Sequence, residues 1–439
     1  MTLLAGSNTV KGTINDGMDA EFALKLGKTV GRIYGSAVAV AMDGRTSNVM
    51  LKDALTAGIM SVGCDVIDLG EVPTPLIQYY MADHPEIHGG VTITASFAGQ
   101  DINGFRIMKS EGVEDPIFVE NSVKAIMSVG SQATGQHIGE IFKAPDFIDG
   151  YVDSILTQVD AEAIRNAGLK ICLDCRNNAV AIIASTILMR LSVDVITIGG
   201  DSSVLDEDRL VKLGHVVKSH GLDLGIAIEM DADHCLFATE TGEGVSGDKS
   251  FSLIAKSILA EKKGKVVVPI NSTSLMEDVI IDSGGSVVHC TVGEQTVVRT
   301  VKENDAVLGG DLFGCLVFPG HMYTCDALMG MVKMVELVVK NGPLSEQIES
   351  FPNYYISRDS FECPVERIPE IMDRFIAMHT GDDINKMDGV KVFVDDGWIL
   401  VRQSNVPGVI KVYAQSDSRE TSQRWVDSTI AELSKDFTA

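Results

Sequence analysis

One arrangement of hydrophobic and polar positions recurs three times along the chain. Each copy begins with a short β-branched run, passes through a polar turn holding Asp43, Asp174 or Asn271, continues at helical spacing and ends in a second apolar run closed by glycine. This pattern is typical of a β-α-β unit, in which a helix joins two buried parallel strands. The wide separation of the copies predicts three similar domains rather than a solenoid. The copies are AVAVAMDGRTSNVMLKDALTAGIMSVGCDVIDLG (37–70), LKICLDCRNNAVAIIASTILMRLSVDVITIGG (169–200) and KVVVPINSTSLMEDVIIDSGGSVVHCTVG (265–293).

The last part of the chain has a different pattern. NGPLSEQIESFPNYYISRD predicts a helix and a connector, and VERIPEIMDRFIAM predicts a further helix. GVKVFVDDGWILVRQ predicts a hairpin that turns at Asp395, Asp396 and Gly397, followed by the strand VIKVYAQS. TSQRWVDSTIAELSKDF predicts a closing amphipathic helix that begins at Thr421 or Ser422.

These elements predict an α/β fold with three similar mixed α/β domains and a smaller C-terminal α+β domain of about 85 residues. A chain of 439 residues is long enough for this organisation, because a domain commonly has about 100–200 residues. The predicted boundaries are 1–145 for domain I, 146–248 for domain II, 249–352 for domain III and 353–439 for domain IV.

The net charge excludes one class of partner. The chain has 61 Asp and Glu residues against 36 Lys and Arg residues, which gives a formal net charge of −25. A field of this sign repels the phosphate backbone, so we expect no nucleic-acid partner. An anionic substrate would have to be held by local cations, backbone amides or a metal ion.

Targeting and cysteine patterns favour the cytoplasm. The stretch MTLLAGSNTVKG lacks the basic start and apolar core of a signal peptide, and no apolar run approaches the ~18–20 residues of a membrane span. The eight cysteines are too few and too scattered for a disulfide scaffold, and Cys172 and Cys175 are expected to be small buried hydrophobic side chains. We therefore expect a soluble cytoplasmic protein with no membrane partner, and an oligomer is compatible with the sequence.

Two polar loops follow predicted strands. In TITASFAGQDINGF, Ser96 follows the strand GGVTIT, where a hydroxyl can act as a nucleophile or phosphate carrier, although such serines commonly cap helices. In GIAIEMDADHCLFATETGEGVSGD, Glu229, Asp231 and Asp233 alternate after an apolar strand. Three unpaired carboxylates would repel one another, so a site for a hard divalent cation is favoured over a solvated acidic loop.

Two further loops are less specific. Asp311 lies in the glycine-rich loop AVLGGDLFGCLVFPGH, which composition alone describes as a plain turn. Arg402, Ser404 and Asn405 in WILVRQSNVPGVIKVY offer a guanidinium, a hydroxyl and an amide that suit a phosphate. A hairpin loop with a solvated arginine is the equal alternative at this point.

In their order these loops resemble those of the α-D-phosphohexomutase superfamily, which includes phosphoglucomutase, phosphomannomutase and phosphoglucosamine mutase. The resemblance runs through MDGRTSNVMLKDALTAGIMSVGCDVIDLGEVPTPL, TASFAGQDINGFR, DLGIAIEMDADH, GGDLFG and DDGWILVRQSN, and it covers nearly the whole chain. It implies four domains around a central cleft. It also implies an isomerase that transfers a phosphoryl group between a serine and a phosphorylated sugar by way of a sugar bisphosphate.

The resemblance implies roles for single residues. Ser96 would be the phosphoserine, Mg²⁺ would be the metal, and a sugar bisphosphate would be the activator. The implied metal ligands are Glu229, Asp231 and Asp233. The implied substrate-binding residues are Asp311 in the sugar-selecting loop and Arg402, Ser404 and Asn405 in the phosphate-binding loop.

Several positions depart from the family pattern. Phe97 follows the serine where the family usually has His, and His234 closes the metal loop in place of Arg. The sugar loop, usually Gly-Glu-x-Ser-Gly-His, reads Gly-Asp-Leu-Phe-Gly-Cys and ends at Cys315, and the phosphate loop has Val406 in place of a hydroxyl residue. Because a site that binds hydroxyls depends on its polar partners, these changes predict an altered substrate specificity.

One pair of departures concerns two cations. The family has Arg where this chain has Lys11, and it has Lys, often assigned as the general base, where this chain has Arg106. Arg releases a proton with difficulty because its pKa is above ~12. We hypothesise that the two cations exchange duties and that Lys11 takes the proton. The alternative is that both positions changed by neutral drift because the site is no longer used.

Two functions follow from these patterns. The first is an active phosphomutase that acts on a phosphorylated sugar with altered specificity. The second is a phosphohexomutase-like pseudoenzyme that binds phosphosugars or a regulatory partner, and the loss of the family's His, Arg and Glu residues favours it. A fold alone does not establish activity.

Overall fold

A computed structural model describes residues 9–95, 98–114, 133–175, 178–199, 205–394, 397–404 and 406–435. Within these ranges the chain forms two compact units. The first contains the residues up to 250 together with 313–349, and the second contains 251–312 together with the residues from 350 onward.

The first sheet of unit 1 is a mixed sheet. Its strands are β1 (Thr9–Ile14), β2 (Gly17–Met18), β3 (Ala37–Met42), β4 (Asp65–Glu71), β5 (Gly89–Ile93), β6 (Ile102–Lys109), β7 (Val113–Glu114) and β8 (Ile141–Lys143). Its helices are α1 (Ala20–Tyr34), α2 (Asn48–Met60) and α3 (Thr74–Asp83). The strand order is β2-β1-β6-β5-β3-β4-β8, with β7 on β6. The parallel strands β3, β4, β5 and β8 form one half, and β6 pairs antiparallel with β5, β1 and β7.

Helices α1 and α2 cross at two glycines. A Cβ atom at Gly27 would lie 2.1 Å from the carbonyl oxygen of Leu55, and one at Gly58 would lie 2.2 Å from that of Leu24. The close approach buries the apolar faces of both helices on the sheet. The buried side chains there include Leu26, Val30, Leu51, Leu55 and Ile59.

The second sheet of unit 1 repeats the β-α-β plan. Its strands are β9 (Lys170–Cys175), β10 (Asp194–Ile198), β11 (Leu224–Ile228), β12 (Cys235–Thr239) and β13 (Gly244–Val245). Its helices are α4 (Ile148–Leu156), α5 (Ala161–Ala167), α6 (Asn178–Arg190) and α7 (Glu207–His220). The strand order is β10-β9-β11-β12-β13, with β10, β9 and β11 parallel. Cys172 and Cys175 are buried free thiols, as predicted.

Residues 313–349 complete unit 1. They contain β17 (Leu316–Val317), α11 (Ala327–Asn341) and α12 (Leu344–Glu349). The buried Asp326 caps α11 by accepting hydrogen bonds from the amides of Leu328 and Met329, both at 3.0 Å, and it also accepts one from the Tyr151 hydroxyl of α4 at 2.9 Å. Helix α11 packs on β11 and β12. The predicted four-domain division stays a prediction.

Unit 2 contains a parallel and an antiparallel sheet. Its strands are β14 (Lys265–Pro269), β15 (Ser286–Cys290), β16 (Leu308–Gly310), β18 (Tyr355–Glu362), β19 (Asp383–Asn385), β20 (Val390–Val394), β21 (Gly397–Gln403) and β22 (Val409–Ser416). Its helices are α8 (Gly247–Glu261), which enters from unit 1, α9 (Ser274–Asp282), α10 (Glu294–Asn304), α13 (Ile368–Met378) and α14 (Arg419–Leu433). Strand β14 is parallel to β15 and β16, and the antiparallel order is β18-β22-β21-β20-β19.

The predicted fold class is confirmed. The parallel pairs β3–β4, β9–β10 and β14–β15 are joined by α2, α6 and α9, at the three predicted repeats. Every described helix is too short or too polar to reach across a lipid bilayer.

Two predictions in the last segment were wrong. The closing helix begins at Arg419, not at Thr421 or Ser422, because the Ser418 hydroxyl accepts a hydrogen bond from the Thr421 amide and caps the helix. The predicted connector contains strand β18, whose outward side chains are polar and weaken its hydrophobic pattern. Asp395 and Asp396, at the predicted hairpin turn, lie outside the described residues.

A buried lysine lies in the apolar cluster between the two sheets of unit 2. Lys391 is 2% exposed, and its Nζ donates a hydrogen bond to the Ile270 carbonyl at 2.8 Å and lies 4.3 Å from the Trp398 ring centroid. Burial lowers the pKa of Lys391 to about 8, and the charge of Glu277 opposes this shift. The folded protein therefore releases this proton at a lower pH than the unfolded chain does.

This pKa shift predicts a pH-dependent contribution to stability. Between the folded pKa of about 8 and the ordinary value of 10.5, the unfolded chain binds more protons, so stability rises with pH. We expect the free energy of unfolding of the wild type minus that of Lys391→Met to rise by about 3 kcal/mol from pH 7.5 to 10.5. Urea denaturation of both proteins across this range measures the difference. A constant difference would contradict the shift.

Candidate active site

The predicted serine follows the carboxyl end of a buried parallel strand. Strand β5 ends at Ile93, and both Thr94 and Ala95 are buried behind it. Ser96 and Phe97 lie outside the described residues. The carboxyl ends of parallel strands are where α/β sheets usually bind ligands, so the last described residues before Ser96 lead to such an edge.

The three predicted metal ligands form a tight, buried turn after β11. Glu229, Asp231 and Asp233 are 6%, 1% and 1% exposed. The turn closes on itself, because the Ala232 amide donates to the Glu229 carbonyl at 3.2 Å and Ala232 adopts a left-handed φ of 59°. Residues outside the turn also form hydrogen bonds with its backbone. The Asp231 carbonyl accepts the Thr74 amide at 3.1 Å, and the Ala232 carbonyl accepts the Ala327 amide at 2.9 Å.

The three carboxylates have different partners. Glu229 Oε2 lies 2.9 Å from His234 Nδ1, and Asp233 accepts a hydrogen bond from Arg106. Asp231 Oδ2 lies 3.6 Å from Arg106 Nη1, yet neither Asp231 carboxylate oxygen has a hydrogen-bond partner among the described residues. Buried polar oxygens without a hydrogen bond are costly, so they point to a ligand.

The donor chemistry of this loop fits Mg²⁺. Carboxylate oxygens are the ligands that this hard cation takes, and Asp231 offers two that no described donor uses. As the side chains stand, however, no three His, Cys, Asp or Glu residues of the described ranges converge on one metal position. The Glu229 carboxylate contacts His234 instead, and the Asp233 carboxylate contacts Arg106.

The predicted cations Lys11 and Arg106 lie on one face of the first sheet. In the antiparallel pairing of β1 and β6, Thr9 is opposite Arg106 and Lys11 is opposite Gly104. Residues two apart in a strand share a face, so Lys11 lies diagonally across from Arg106. Arg106 is 5% exposed, and its Nε donates to the Glu114 carboxylate.

A buried Asp–Arg pair that the sequence analysis missed supports the segment after Ser96. Arg45 is 3% exposed and pairs with Asp43. Its guanidinium donates to the carbonyls of Ala98 at 2.9 Å, Gly99 at 3.0 Å and Ile102 at 3.2 Å. Burial raises the pKa of Asp43, while the Arg45 charge and hydrogen bonds from Thr94 and Asn48 lower it.

Arg45 also reaches the carboxylate turn. Its Nη2 lies 3.9 Å from the sulfur of Met230, which stands between Glu229 and Asp231. The available signal was the polar turn of the first repeat, where Arg45 follows Asp43 at a distance of two residues.

Asp174, in the polar turn of the second repeat, has a corresponding arginine partner in Arg209. Arg209 is 2% exposed, and its Nε lies 2.9 Å from Asp174 Oδ2. Its Nη2 donates to the Ile228 carbonyl at 2.8 Å, directly before Glu229. The polar turn that follows the first strand of each of these two repeats therefore anchors a loop of the candidate site.

An unpredicted disulfide lies beside the carboxylate turn in unit 1. Cys315 is bonded to Cys325, and Cys315 also forms a β-bridge with His234. The Gly314 carbonyl accepts the Cys235 amide at 3.2 Å. Gly314 has a φ of +102°, and a Cβ there would lie 2.3 Å from the Cys235 carbonyl oxygen, so only glycine fits. The end of the predicted sugar loop is thus fixed next to His234.

The remaining predicted residues belong to unit 2. Asp311 follows β16. Burial raises the pKa of the Cys290 thiol to about 12, and the negative charges of Asp311 and Asp388 also raise it. Arg402 on β21 donates from Nε to Asp388 Oδ2 at 2.9 Å. Asp311 and Arg402 therefore share one neighbourhood through Cys290 and Asp388.

The predicted phosphate loop of unit 2 is closed by backbone hydrogen bonds. Ser404 is buried, its amide donates to the Val409 carbonyl at 2.8 Å, and its hydroxyl accepts the Val406 amide at 3.2 Å. Asn405 lies outside the described residues. Lys411 is the cross-strand neighbour of Arg402, and burial lowers its pKa, followed by the charges of Arg402 and Arg358. Three basic side chains, those of Lys411, Arg402 and Arg358, therefore lie near one another beside this loop, and Asp388 pairs with Arg402.

Comparisons with known proteins match nearly the whole chain. Three protein-family models match the sequence. They are described as phosphoglucomutase/phosphomannomutase, alpha/beta/alpha domains I, II and III, and they match residues 2–134, 149–242 and 246–355, respectively. A phosphoglucomutase/phosphomannomutase of Thermococcus kodakarensis is 32% identical and covers 97% of this chain and 97% of its own. A probable phosphoglucosamine mutase of Methanopyrus kandleri is 31% identical and covers 97% of this chain and 96% of its own.

Solved structures share the fold. A phosphoglucomutase/phosphomannomutase family protein from Burkholderia thailandensis has a TM-score of 0.86 at 23% identity, covering 99% of this chain and 98% of its own. Two structures of Aspergillus fumigatus N-acetylphosphoglucosamine mutase have TM-scores of 0.61 and 0.58 at 11% and 15% identity. They cover 97% and 91% of this chain and 94% and 77% of their own. The first is described as a complex with glucose 1,6-bisphosphate and the second as a complex with GlcNAc-6P and magnesium.

The Asp43–Arg45 pair generates a prediction. We expect Arg45→Met to lower the free energy of unfolding by about 3–5 kcal/mol, because it leaves a buried carboxylate without its cation. The double variant Asp43→Leu with Arg45→Met should cost less than the sum of the two single changes, since no lone charge remains. Urea denaturation of the four proteins measures both effects. Additive costs, or a loss below about 1 kcal/mol, would contradict the inferred role.

Proposed function

Because the chain belongs to the phosphoglucomutase/phosphomannomutase family of the α-D-phosphohexomutase superfamily, we propose that it is an active mutase. The proposed reaction moves a phosphoryl group between two positions of a phosphorylated sugar, with a phosphoserine and a sugar bisphosphate as intermediates. One observation carries the proposal. The buried carboxylate oxygens of Asp231, which accept no hydrogen bond from any described residue, lie on a loop that contacts Arg45, and Arg45 also binds the segment that follows Ser96.

Ser96 is the proposed phosphoryl carrier. In one half-reaction its phosphoryl group passes to a sugar hydroxyl, and in the other the second phosphate of the bisphosphate returns to the serine oxygen. Each attack requires that a hydroxyl proton be removed and later given back. Hydrogen bonds from Arg45 to three carbonyls of the following segment support this role, since they fix the backbone on one side of the serine.

Glu229, Asp231 and Asp233 are the proposed ligands of Mg²⁺. A bound Mg²⁺ would neutralise charge on the transferring phosphoryl oxygens. The chain's own contribution is to hold these carboxylates buried and fixed, through the backbone hydrogen bonds from Thr74 and Ala327. Structures of Aspergillus fumigatus N-acetylphosphoglucosamine mutase in complex with glucose 1,6-bisphosphate and with magnesium are consistent with Mg²⁺ and a sugar bisphosphate as ligands in the family.

Lys11 is the proposed proton acceptor. Arg106 donates hydrogen bonds to Glu114 and Asp233, and a guanidinium releases its proton with difficulty, so Arg106 acts as a positive charge rather than as a base. Lys11 lies on the same face of the sheet, diagonally across from Arg106, and an ammonium changes its protonation more readily than a guanidinium does.

Arg402, Ser404 and Asn405 are the proposed phosphate ligands, and Asp311 the proposed contact for the sugar. The concentration of positive charge from Arg402, Lys411 and Arg358 supports a phosphate at this loop. Altered specificity is proposed because Cys315, which stands where the family has His, is bonded to Cys325 and offers no donor to a sugar hydroxyl.

A pseudoenzyme that binds phosphosugars is the alternative. The pairing of Glu229 with His234 and of Asp233 with Arg106 favours it, because both pairs draw carboxylates away from a common metal position. The two proposals differ in whether Ser96 ever carries a phosphoryl group.

Phosphorylation of Ser96 distinguishes the two proposals. Incubation of purified protein with glucose 1,6-bisphosphate and Mg²⁺ should add one phosphoryl group, and Ser96→Ala should remain unmodified. Intact-mass spectrometry measures the addition. A panel of sugar 1-phosphates and 6-phosphates should then reveal interconversion that Ser96→Ala lacks. An unmodified wild type that converts no member of the panel would support the pseudoenzyme.

The second prediction concerns the base. Lys11→Met should lower kcat by about 10²–10⁴-fold with a smaller effect on KM, because proton removal is lost while substrate contacts remain. Lys11→Arg, which keeps the charge but holds its proton, should be similarly slow. Steady-state kinetics on the substrate found in the panel measures both. Full turnover by Lys11→Met together with loss of turnover by Arg106→Met would rule out the exchange of roles.

A further inference from the structure

Arg106 is surrounded by carboxylates. Its Nε donates to Glu114, its Nη1 donates to Asp233, and the same Nη1 lies 3.6 Å from Asp231 Oδ2. The arginine side chain is 6% exposed, as is that of Glu114, while those of Asp231 and Asp233 are 1% and 2% exposed. Charges at this depth interact strongly because little water screens them.

The backbone of Arg106 is fixed in the middle of the sheet. Thr9 of β1 pairs with it on one side and Thr92 of β5 on the other. Only rotation of the side chain can therefore move the guanidinium. The position of the charge relative to the carboxylate turn is set by the fold and by the hydrogen bonds at each end of the guanidinium.

The carboxylates around Arg106 differ in how they are bound by the described residues. Glu114 and Asp233 each accept a hydrogen bond from Arg106, and Glu229 lies beside His234. Asp231 lies 3.6 Å from Arg106, but its carboxylate oxygens accept no hydrogen bond from a described residue. A divalent cation that binds Asp231 would therefore lie close to the Arg106 charge.

We propose that Arg106 competes with a divalent cation for Asp233 and Asp231 and so sets the metal affinity of the turn. This rests on the metal-binding role proposed above. An arginine can engage carboxylates with both ends of its fork, so Glu114 can retain the Nε end when Nη1 leaves Asp233. A lysine has a single ammonium group and cannot bridge Glu114 and Asp233 in this way. The arginine thus lowers metal affinity, and metal binding requires that this ion pair be broken.

Binding of Mn²⁺ alone tests the competition. The free ion is counted by electron paramagnetic resonance during titration of the full chain, without any substrate. Arg106→Gln should bind Mn²⁺ about tenfold more tightly than the wild type, because the competing charge is gone. Arg106→Lys should be intermediate. Adding Asp231→Asn to Arg106→Gln should abolish the gain, which assigns the ion to this turn.

A matched control separates the local effect from net charge. Arg190→Gln removes the same charge from an arginine whose side chain is 39% exposed and which pairs with Asp149 and Asp153. Its Mn²⁺ affinity should equal that of the wild type. Equal or weaker binding by Arg106→Gln with an unchanged unfolding midpoint would overturn the proposal. If that variant does not fold, equal or weaker binding by Arg106→Lys overturns it.

The Mn²⁺ titration can fail or succeed independently of the Ser96 phosphorylation experiment. If Arg106→Gln binds Mn²⁺ more tightly but Ser96 is never phosphorylated, the proposed competition stands and the proposed mutase activity is rejected. Phosphorylation of Ser96 with unchanged Mn²⁺ affinity in the Arg106 variants would retain the mutase and reject the competition. Absence of Mn²⁺ binding in every variant would reject the competition as well.

Discussion

Buried carboxylates at the strand ends of unit 1 are the constraint on which the rest of the site depends. A carboxylate that loses its water must gain a cation or several hydrogen-bond donors, or its charge becomes prohibitively costly. Asp43 and Asp174 meet this requirement with one arginine each, at Arg45 and Arg209. The carboxylate turn meets it only in part, because the oxygens of Asp231 have no hydrogen-bond donor among the described residues. This uneven neutralisation distinguishes the structural ion pairs from the carboxylate turn of the candidate site.

The structural ion pairs also explain how loops from distant parts of the sequence are held. Arg45 and Arg209 neutralise an aspartate with one edge of the guanidinium and use other nitrogens for backbone carbonyls of the neighbouring loop. Lysine would lack the geometry for this double use, because its ammonium is a point charge without a planar fork. Each pair therefore couples the polar turn of a β-α-β repeat to the loop that carries the candidate chemistry.

The sequence was sufficient for the fold class and for the three β-α-β repeats. Strand and helix periodicity depends on local side-chain alternation, so the three repeats and the last hairpin could be read directly, although strand β18 and the Ser418 cap could not. The partner of each charge was not predictable, because Arg106 and Asp233 are separated by 127 residues and meet only in the folded chain. Likewise, the Cys315–Cys325 disulfide depends on the short distance between the two Cα atoms, 5.2 Å, which spacing in sequence does not reveal.

Two of the departures from the family pattern, at His234 and Cys315, are in direct contact. His234, where the family has arginine, binds Glu229 and bridges in β fashion to Cys315, which itself stands where the family has histidine. A change at the end of the predicted metal loop therefore contacts a change at the end of the predicted sugar loop within unit 1. Since the Cys315–Cys325 bond and Gly314 fix this junction, a hydroxyl-binding histidine cannot be restored there without breaking the disulfide. The two departures thus change charge and packing at one junction, so neither can be reversed without affecting the other.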